Sequence, residues 1–141
     1  MYNKMNLNFL SISENEAFAR NVIAAFALGV NPTLSEISDV KTAVSEAVTN
    51  AIVHGYPDTV GNIEIEAEIK DKTLHIIIKD FGVGISNLSE ALESFYSTKL
   101  EEERSGMGFT IMKSFMDEVK VNSAIGKGTS VYMRKTIKQD A

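Results

Sequence analysis

Between residues 63 and 69 the chain reads Ile63-Glu64-Ile65-Glu66-Ala67-Glu68-Ile69. Successive side chains of an extended segment point to opposite faces, so this is a strand with one apolar face on a core and one acidic face in water. A sheet built from such strands is covered on one side only, and the covering layer has to come from elsewhere in the chain. A turn at Lys70-Asp71-Lys72 leads into a more continuously apolar strand, Leu74 to Lys79, which ends at Asp80. Val119 to Ser123 and Thr129 to Thr136 read as a final strand pair, and Asn6 to Ser11 as a short first strand.

The covering layer is legible as helices. Ser13-Glu14-Asn15-Glu16 fits a capping box, and an Ala-rich helix runs from it to about Leu28, with Gly29 placed as its stop. Thr33-Leu34-Ser35-Glu36 is a second capping box, opening a helix to about His54 that Gly55 ends. Ile37, Val40, Val44, Ala47, Val48, Ala51 and Ile52 recur at three- and four-residue spacing and form one buried stripe. Residues 87–94 suggest a short helix, residues 95–107 a polar loop, and Phe109 to Phe115 a last helix. Helices precede most strands, and no regular βαβ alternation occurs. The class expected is α+β, with helices on one face of a mixed, mostly antiparallel sheet.

Length and composition narrow the chemistry. The 141 residues suit a single domain over residues 1–141, and 44% hydrophobic residues suit a packed core. No Cys is present, which excludes disulfides, thiolate nucleophiles and cysteine metal sites. Two histidines, His54 and His75, are too few for a multi-histidine zinc site. A net charge of −5 argues against direct coating of nucleic acid. No secretory signal and no run of ~18 to 20 apolar residues is found, so a soluble cytoplasmic protein with no membrane segment is expected.

The candidate chemistry lies at two places. Glu46 and Asn50 are four apart in a helix, hence neighbours, and flank the apolar stripe. An Asn carbonyl is a hard ligand suited to Mg²⁺, and a partly desolvated Glu can accept a proton from a nucleophile. The same spacing also fits an ordinary solvated helix flank. The second place is a set of glycines: six of the nine fall into G-x-G pairs at 82/84, 106/108 and 126/128.

Asp80-Phe81-Gly82-Val83-Gly84 follows an apolar strand directly. A carboxylate there can accept a hydrogen bond from the adenine amine, whereas guanine presents a carbonyl and is repelled. A tight turn capped by Asp reads the same way. Gly106-Met107-Gly108 is expected to end the loop and open the helix at Phe109, where free N–H groups suit phosphate. Gly126-Lys127-Gly128-Thr129 reads as a hairpin turn. Position 121 is Val, so no P-loop exists, and positions 87, 111 and 131 are Asn, Ile and Val, so no pair extends to G-x-G-x-x-G. The triplet Asp80-Phe81-Gly82 also occurs in protein kinases, but the chain has no H-R-D loop and about half the length that fold needs.

Taken together, Glu46…Asn50, Asp80-x-Gly82-x-Gly84 and Gly106-x-Gly108 resemble the N, G1 and G2 boxes of the GHKL ATPase and kinase superfamily, whose ATP-binding fold is the two-layer Bergerat type. Phe95-Tyr96-Ser97-Thr98-Lys99 looks like the start of its ATP lid. The resemblance covers almost the whole chain. Ser45-Glu46-Ala47-Val48-Thr49-Asn50-Ala51-Ile52-Val53-His54-Gly55-Tyr56 and Arg104-Ser105-Gly106-Met107-Gly108-Phe109 are similar to the anti-sigma serine kinases, in the wording found in spore-forming bacteria. A sensor histidine kinase would need a phosphoacceptor helix, and gyrase or mismatch-repair relatives a further domain.

The resemblance implies ATP and Mg²⁺ as cofactors, with Asn50 holding the metal. It implies that Asp80 takes the adenine amine, that Gly82 and Gly84 pass close to the nucleotide, and that Thr129 lies near the adenine. It assigns Thr98, Lys99, Arg104, Gly106 and Gly108 to the lid and phosphate cradle, and makes Glu46 the general base, with Arg104 beside it in catalysis. Arg20 resembles a partner-contact position. The implied partners are a sporulation sigma factor of the sigma F type, an anti-anti-sigma protein phosphorylated on serine, and a second copy in a homodimer. Two other functions fit the same residues: a nucleotide-gated binding module with incidental kinase activity, and a general-stress anti-sigma kinase.

Overall fold

The structure, a computed structural model, describes residues 1–85 and 100–138, without the side chains of residues 100–107. The short helix expected over 87–94 and the lid residues Thr98 and Lys99 lie outside the described residues.

Strand β1 is Tyr2–Leu10, β2 Asn62–Lys70, β3 Thr73–Asp80, β4 Glu118–Ala124 and β5 Gly128–Thr136. They form one sheet in the order β1-β2-β3-β5-β4. Every pairing in it is antiparallel. Helices α1 (Glu14–Ala27), α2 (Leu34–Asn50) and α3 (Leu100–Phe115) cover one face. This is the two-layer α+β arrangement that the alternation in β2 requires. No helix among the described residues is long and apolar enough to cross a membrane.

The register lines up whole rows across the sheet. Leu7, Ile65, Ile78, Val131 and Val121 are successive partners on the helix-covered face. Two residues along, the row is Phe9, Ile63, Asp80, Thr129 and Ser123. Ile63, Ile65, Ile69, Leu74 and Ile76 are fully buried, while Glu64, Glu66 and Glu68 face outward. Onto these rows α1 presses Ala19, Ile23 and Ala27, and α2 presses Val40, Ala43, Val44, Ala47 and Val48. Phe109 and Met112 of α3 complete the packing.

Capping chemistry decides one helix start. At α2 the box is complete: Glu36 N–H donates to Thr33 Oγ1 at 3.0 Å, and Thr33 N–H donates to Glu36 Oε1 at 2.9 Å. At α1 it is not, because Ser13 has helical backbone angles and its hydroxyl caps nothing. The stop of α1 also differs from expectation. The chain runs on through a 3₁₀ turn, Leu28–Val30, and Asn31 takes the left-handed position at φ 52°. A Cβ on Gly29 would stand 2.8 Å from Cε of the exposed Met1, a flexible side-chain end that can give way.

Two further differences bear on function. Helix α2 ends at Asn50, and Ala51–Gly55 widens into a π-helical turn closed by Tyr56. Helix α3 starts at Leu100, not at Phe109. The reason is propensity: Leu100-Glu101-Glu102-Glu103-Arg104 are strong helix formers with acidic residues in the first turn, but they show no apolar stripe. Gly106 and Gly108 therefore lie within the helix.

Candidate functional site

The first half of the site is the end of the second core row. Asp80 shares the parity of Leu74, Ile76 and Ile78, so its side chain points at the core face and is only 6% exposed. Burial pushes its carboxyl above the usual carboxylate range, and hydrogen bonds from the Gly82 and Thr129 backbones oppose that rise. The Gly82 N–H reaches Asp80 Oδ1 at 3.0 Å. Beside it, the Ser123 hydroxyl lies 2.8 Å from Thr129 Oγ1 and accepts the Ile85 N–H at 2.7 Å. Asp80, Ser123, Lys127 and Thr129 border a cleft of about 350 Å³. A buried, ionisable acceptor at the lip of such a cleft is suited to an amino group and repels a carbonyl.

Glycines permit this end to close. A Cβ on Gly55 would stand 2.7 Å from Asp80 Cγ and within 2.9 Å of both carboxylate oxygens. A Cβ on Gly82 would run into the Gly55 carbonyl oxygen, and one on Gly128 into the Asp80 carbonyl oxygen. Gly84, at φ 77°, lies against the Ala124 carbonyl. Gly82 and Gly84 thus allow two pieces of backbone to meet each other, where a close pass to a ligand had been expected. Gly128 is more than a turn residue, at φ 92° against Asp80.

The second half lies on α2. A Cβ on Gly108 would stand 3.2 Å from Glu46 Oε2, 3.2 Å from Asn50 Nδ2 and 3.5 Å from Asn50 Oδ1. The backbone of α3 therefore crosses α2 at the two polar residues that the spacing had singled out. Asn50 Nδ2 is buried with no hydrogen-bond partner among the described residues. A buried amide group left unpaired costs ~1–3 kcal/mol, so it marks a place where an acceptor such as a phosphate oxygen belongs. The helix N-terminus expected at Gly106-Met107-Gly108 is corrected: both glycines lie inside α3, which starts at Leu100. Arg104 sits four residues before Gly108 in the same helix, its side chain outside the described residues.

Whether Mg²⁺ fits can be asked of these residues directly. Among the described residues no group of three His, Cys, Asp or Glu could hold a metal. One Asn beside one Glu is a sparse donor set, and it suits Mg²⁺ bound mainly through substrate phosphates and water. The unpaired Asn50 atom is the donor Nδ2, which suits a phosphate oxygen, and the metal would take the carbonyl oxygen Oδ1 of the same side chain.

Arg20 belongs to neither half. Its guanidinium Nη1 pairs with both carboxylate oxygens of Glu16 at 2.9 Å, one turn away on α1. It also borders a groove of about 440 Å³ whose other lining comes from α2, with Leu34, Ile37, Lys41, Ser45 and Glu46 among it. Residues that the sequence reading gave no role, Tyr56, Gly61 and Ser123, also belong to the site. Their importance comes from contacts far along the chain, although Ser123 shares the parity of Val119 and Val121 and was readable in that sense.

The model of the histidine kinase-like ATPase domain matches residues 12–135, and the chain belongs to that family. Within it, the chain is 54% identical to the anti-sigma F factor of Thermoanaerobacter sp. (strain X514), over 98% of this chain and 96% of the relative. It is 56% identical to the anti-sigma F factor of Clostridium acetobutylicum, over 94% and 93% of the two chains. The solved structure of the RsbU and RsbW domains of Rv1364c from Mycobacterium tuberculosis shares the fold, with a TM-score of 0.69 at 17% identity. That match covers 96% of this chain and 32% of the other. These likenesses support anti-sigma function and nucleotide binding at a kinase-like site.

Proposed function

We propose that this chain is an ATP-dependent anti-sigma factor of the sporulation type. In this reading it withholds a sigma factor from RNA polymerase and transfers phosphate from ATP to a serine of an anti-anti-sigma antagonist, acting as a homodimer. The observation that carries it is the convergence of Glu46, the unpartnered Asn50 amide and Gly108 at one helix crossing.

Each site residue has a role in this reading. Asp80 accepts the adenine amine, with Thr129 and Ser123 completing the base-side wall. Asn50 holds Mg²⁺, which when bound neutralises phosphate charge. Glu46 accepts the proton of the serine hydroxyl as the serine oxygen bonds to the γ-phosphorus and ADP departs. Thr98, Lys99, Arg104 and the Gly106–Gly108 stretch of α3 belong to the lid and phosphate cradle in this reading, Arg104 adding positive charge, while Gly82 and Gly84 shape the base side by letting the backbone after Asp80 close against Gly55 and Ala124. The groove from Arg20 to Glu46 is the natural path for a partner segment that must present its serine to that base.

Phosphate transfer from ATP to the antagonist tests the reading. Glu46→Gln should slow transfer by ~10² to 10⁴-fold while ATP binding persists. Undiminished transfer would remove Glu46 as base. Intact sigma inhibition by that variant, with release by the antagonist also intact, would leave a nucleotide-gated binding module in its place.

A further inference from the structure

Of the described residues just after Asp80, 81–85, only Ile85 packs against the core. Phe81 and Val83 are 53% and 50% exposed. What fixes the path of this segment is a small set of hydrogen bonds, and two of them come from the end of the π-helical turn. Gly55 O accepts the Val83 N–H at 2.9 Å. The Tyr56 hydroxyl accepts the Phe81 N–H at 2.7 Å and donates to Asn62 O at 2.6 Å.

A single phenol does both from inside a packed site. Tyr56 is buried at 8% exposure, and its ring lies where a Cβ on Gly61 would otherwise be. Its hydroxyl therefore ties the first residue of β2 to the first residue beyond β3, across the end of the sheet where Asp80 stands. The residue just before it, Gly55, is the one that leaves room for the Asp80 carboxylate. Residues 55 and 56 act on Asp80 together: one clears its side chain, the other anchors the backbone that follows it. Burial raises the Tyr56 phenol, with Asp80 and Glu64 adding to the rise and the Phe81 N–H opposing it, so the hydroxyl keeps the proton it donates.

We propose that Tyr56 is a positioning residue for purine selectivity. By holding Phe81 against the end of β2 it aims the Asp80 carboxylate, and so sets the preference for a 6-aminopurine nucleotide. This rests on the reading that Asp80 receives the adenine amine.

The test compares two nucleotides that differ only in that amine, ATP and purine riboside 5′-triphosphate, binding to the full chain with Mg²⁺ present. A hydrogen bond to a charged group is worth ~1.5–3 kcal/mol, so the wild type should prefer ATP by ~10 to 150-fold. Tyr56→Phe keeps the ring and removes only the tie. Its preference for ATP should fall at least ~5-fold, while affinity for purine riboside triphosphate changes less than ~2-fold. A merely structural tyrosine would weaken both nucleotides equally, and that result, or an unchanged preference, overturns the proposal. A wild type with no preference would overturn the adenine reading of Asp80 itself. Should Tyr56→Phe fail to fold, Gly61→Ala displaces the same ring with its hydroxyl intact, and the same selective loss is expected. Parallel weakening of both nucleotides in that variant counts against it.

Discussion

Gly108→Ala separates two things that usually move together. Gly108 is interior to α3, and replacing a helical glycine with alanine gains ~1 kcal/mol of helix propensity. Unfolding entropy is ~2.1 cal/mol/K per residue, so for 141 residues that gain corresponds to a Tm rise of ~3 °C. Against it stands the crowding. The new Cβ would meet Glu46 Oε2 and Asn50 Nδ2 at 3.2 Å each, a few tenths of an ångström inside ordinary contact. Side chains can yield by that amount, which offsets part of the gain, so the Tm should stay level or rise by up to ~3 °C. Catalysis is less forgiving. A misplacement of ~1 Å can cost ~10²-fold, so shifting the base and the Asn by a few tenths should cost ~3 to 10-fold in transfer rate. The assay is differential scanning calorimetry without nucleotide, paired with single-turnover phosphate transfer to the antagonist. A variant with unchanged Tm and unchanged transfer would refute the claim that α3 crosses at the reacting groups. A Tm drop beyond ~6 °C would show that the crowding is core packing and not a site effect.

Saturating Mg-ATP at 100 times its dissociation constant should stabilise the protein by ~2.7 kcal/mol, a Tm rise of ~9 °C at this chain length, with GTP giving much less. Equal shifts for the two would sink adenine recognition by Asp80. Because burial holds Asp80 above the usual carboxylate range, folding disfavours its ionised form. The sign follows: without nucleotide, Asp80→Asn should raise the Tm at neutral pH, and that advantage should vanish as pH falls through the raised value. Over the same interval the wild-type preference for ATP over purine riboside triphosphate should fade, since the acceptor is protonated. A preference independent of pH would contradict this. Thr33→Ala removes a complete capping box and should cost ~1 kcal/mol, lowering the Tm by ~3 °C with ATP affinity unchanged. A change in affinity would show that the α2 start is coupled to the site.

The strongest local patterns translated directly into structure. The alternation of Ile63 to Ile69 became a one-faced strand, and the Thr33–Glu36 spacing became a real box. Asp80 was legible as a strand-end carboxylate, and its burial followed from parity with Ile76 and Ile78. What local pattern could not carry was competition between neighbours. Ser13 has the right partner at Glu16 yet adopts helical angles, and Asn31 outcompetes Gly29 for the left-handed position. Residues 100 to 104 have helix propensity without amphipathicity, so periodicity read them as loop. The Tyr56 tie links residues 56, 62 and 81, and the glycine crossings pair 55 with 80 and 82; such pairings exist only once the sheet is formed.

The second core row ends on Asp80, Thr129 and Ser123 where the first ends on Val131 and Val121. A bound base would stack onto that row as its outermost member, and the protein without nucleotide is in this sense a hydrophobic interior with one piece supplied from outside.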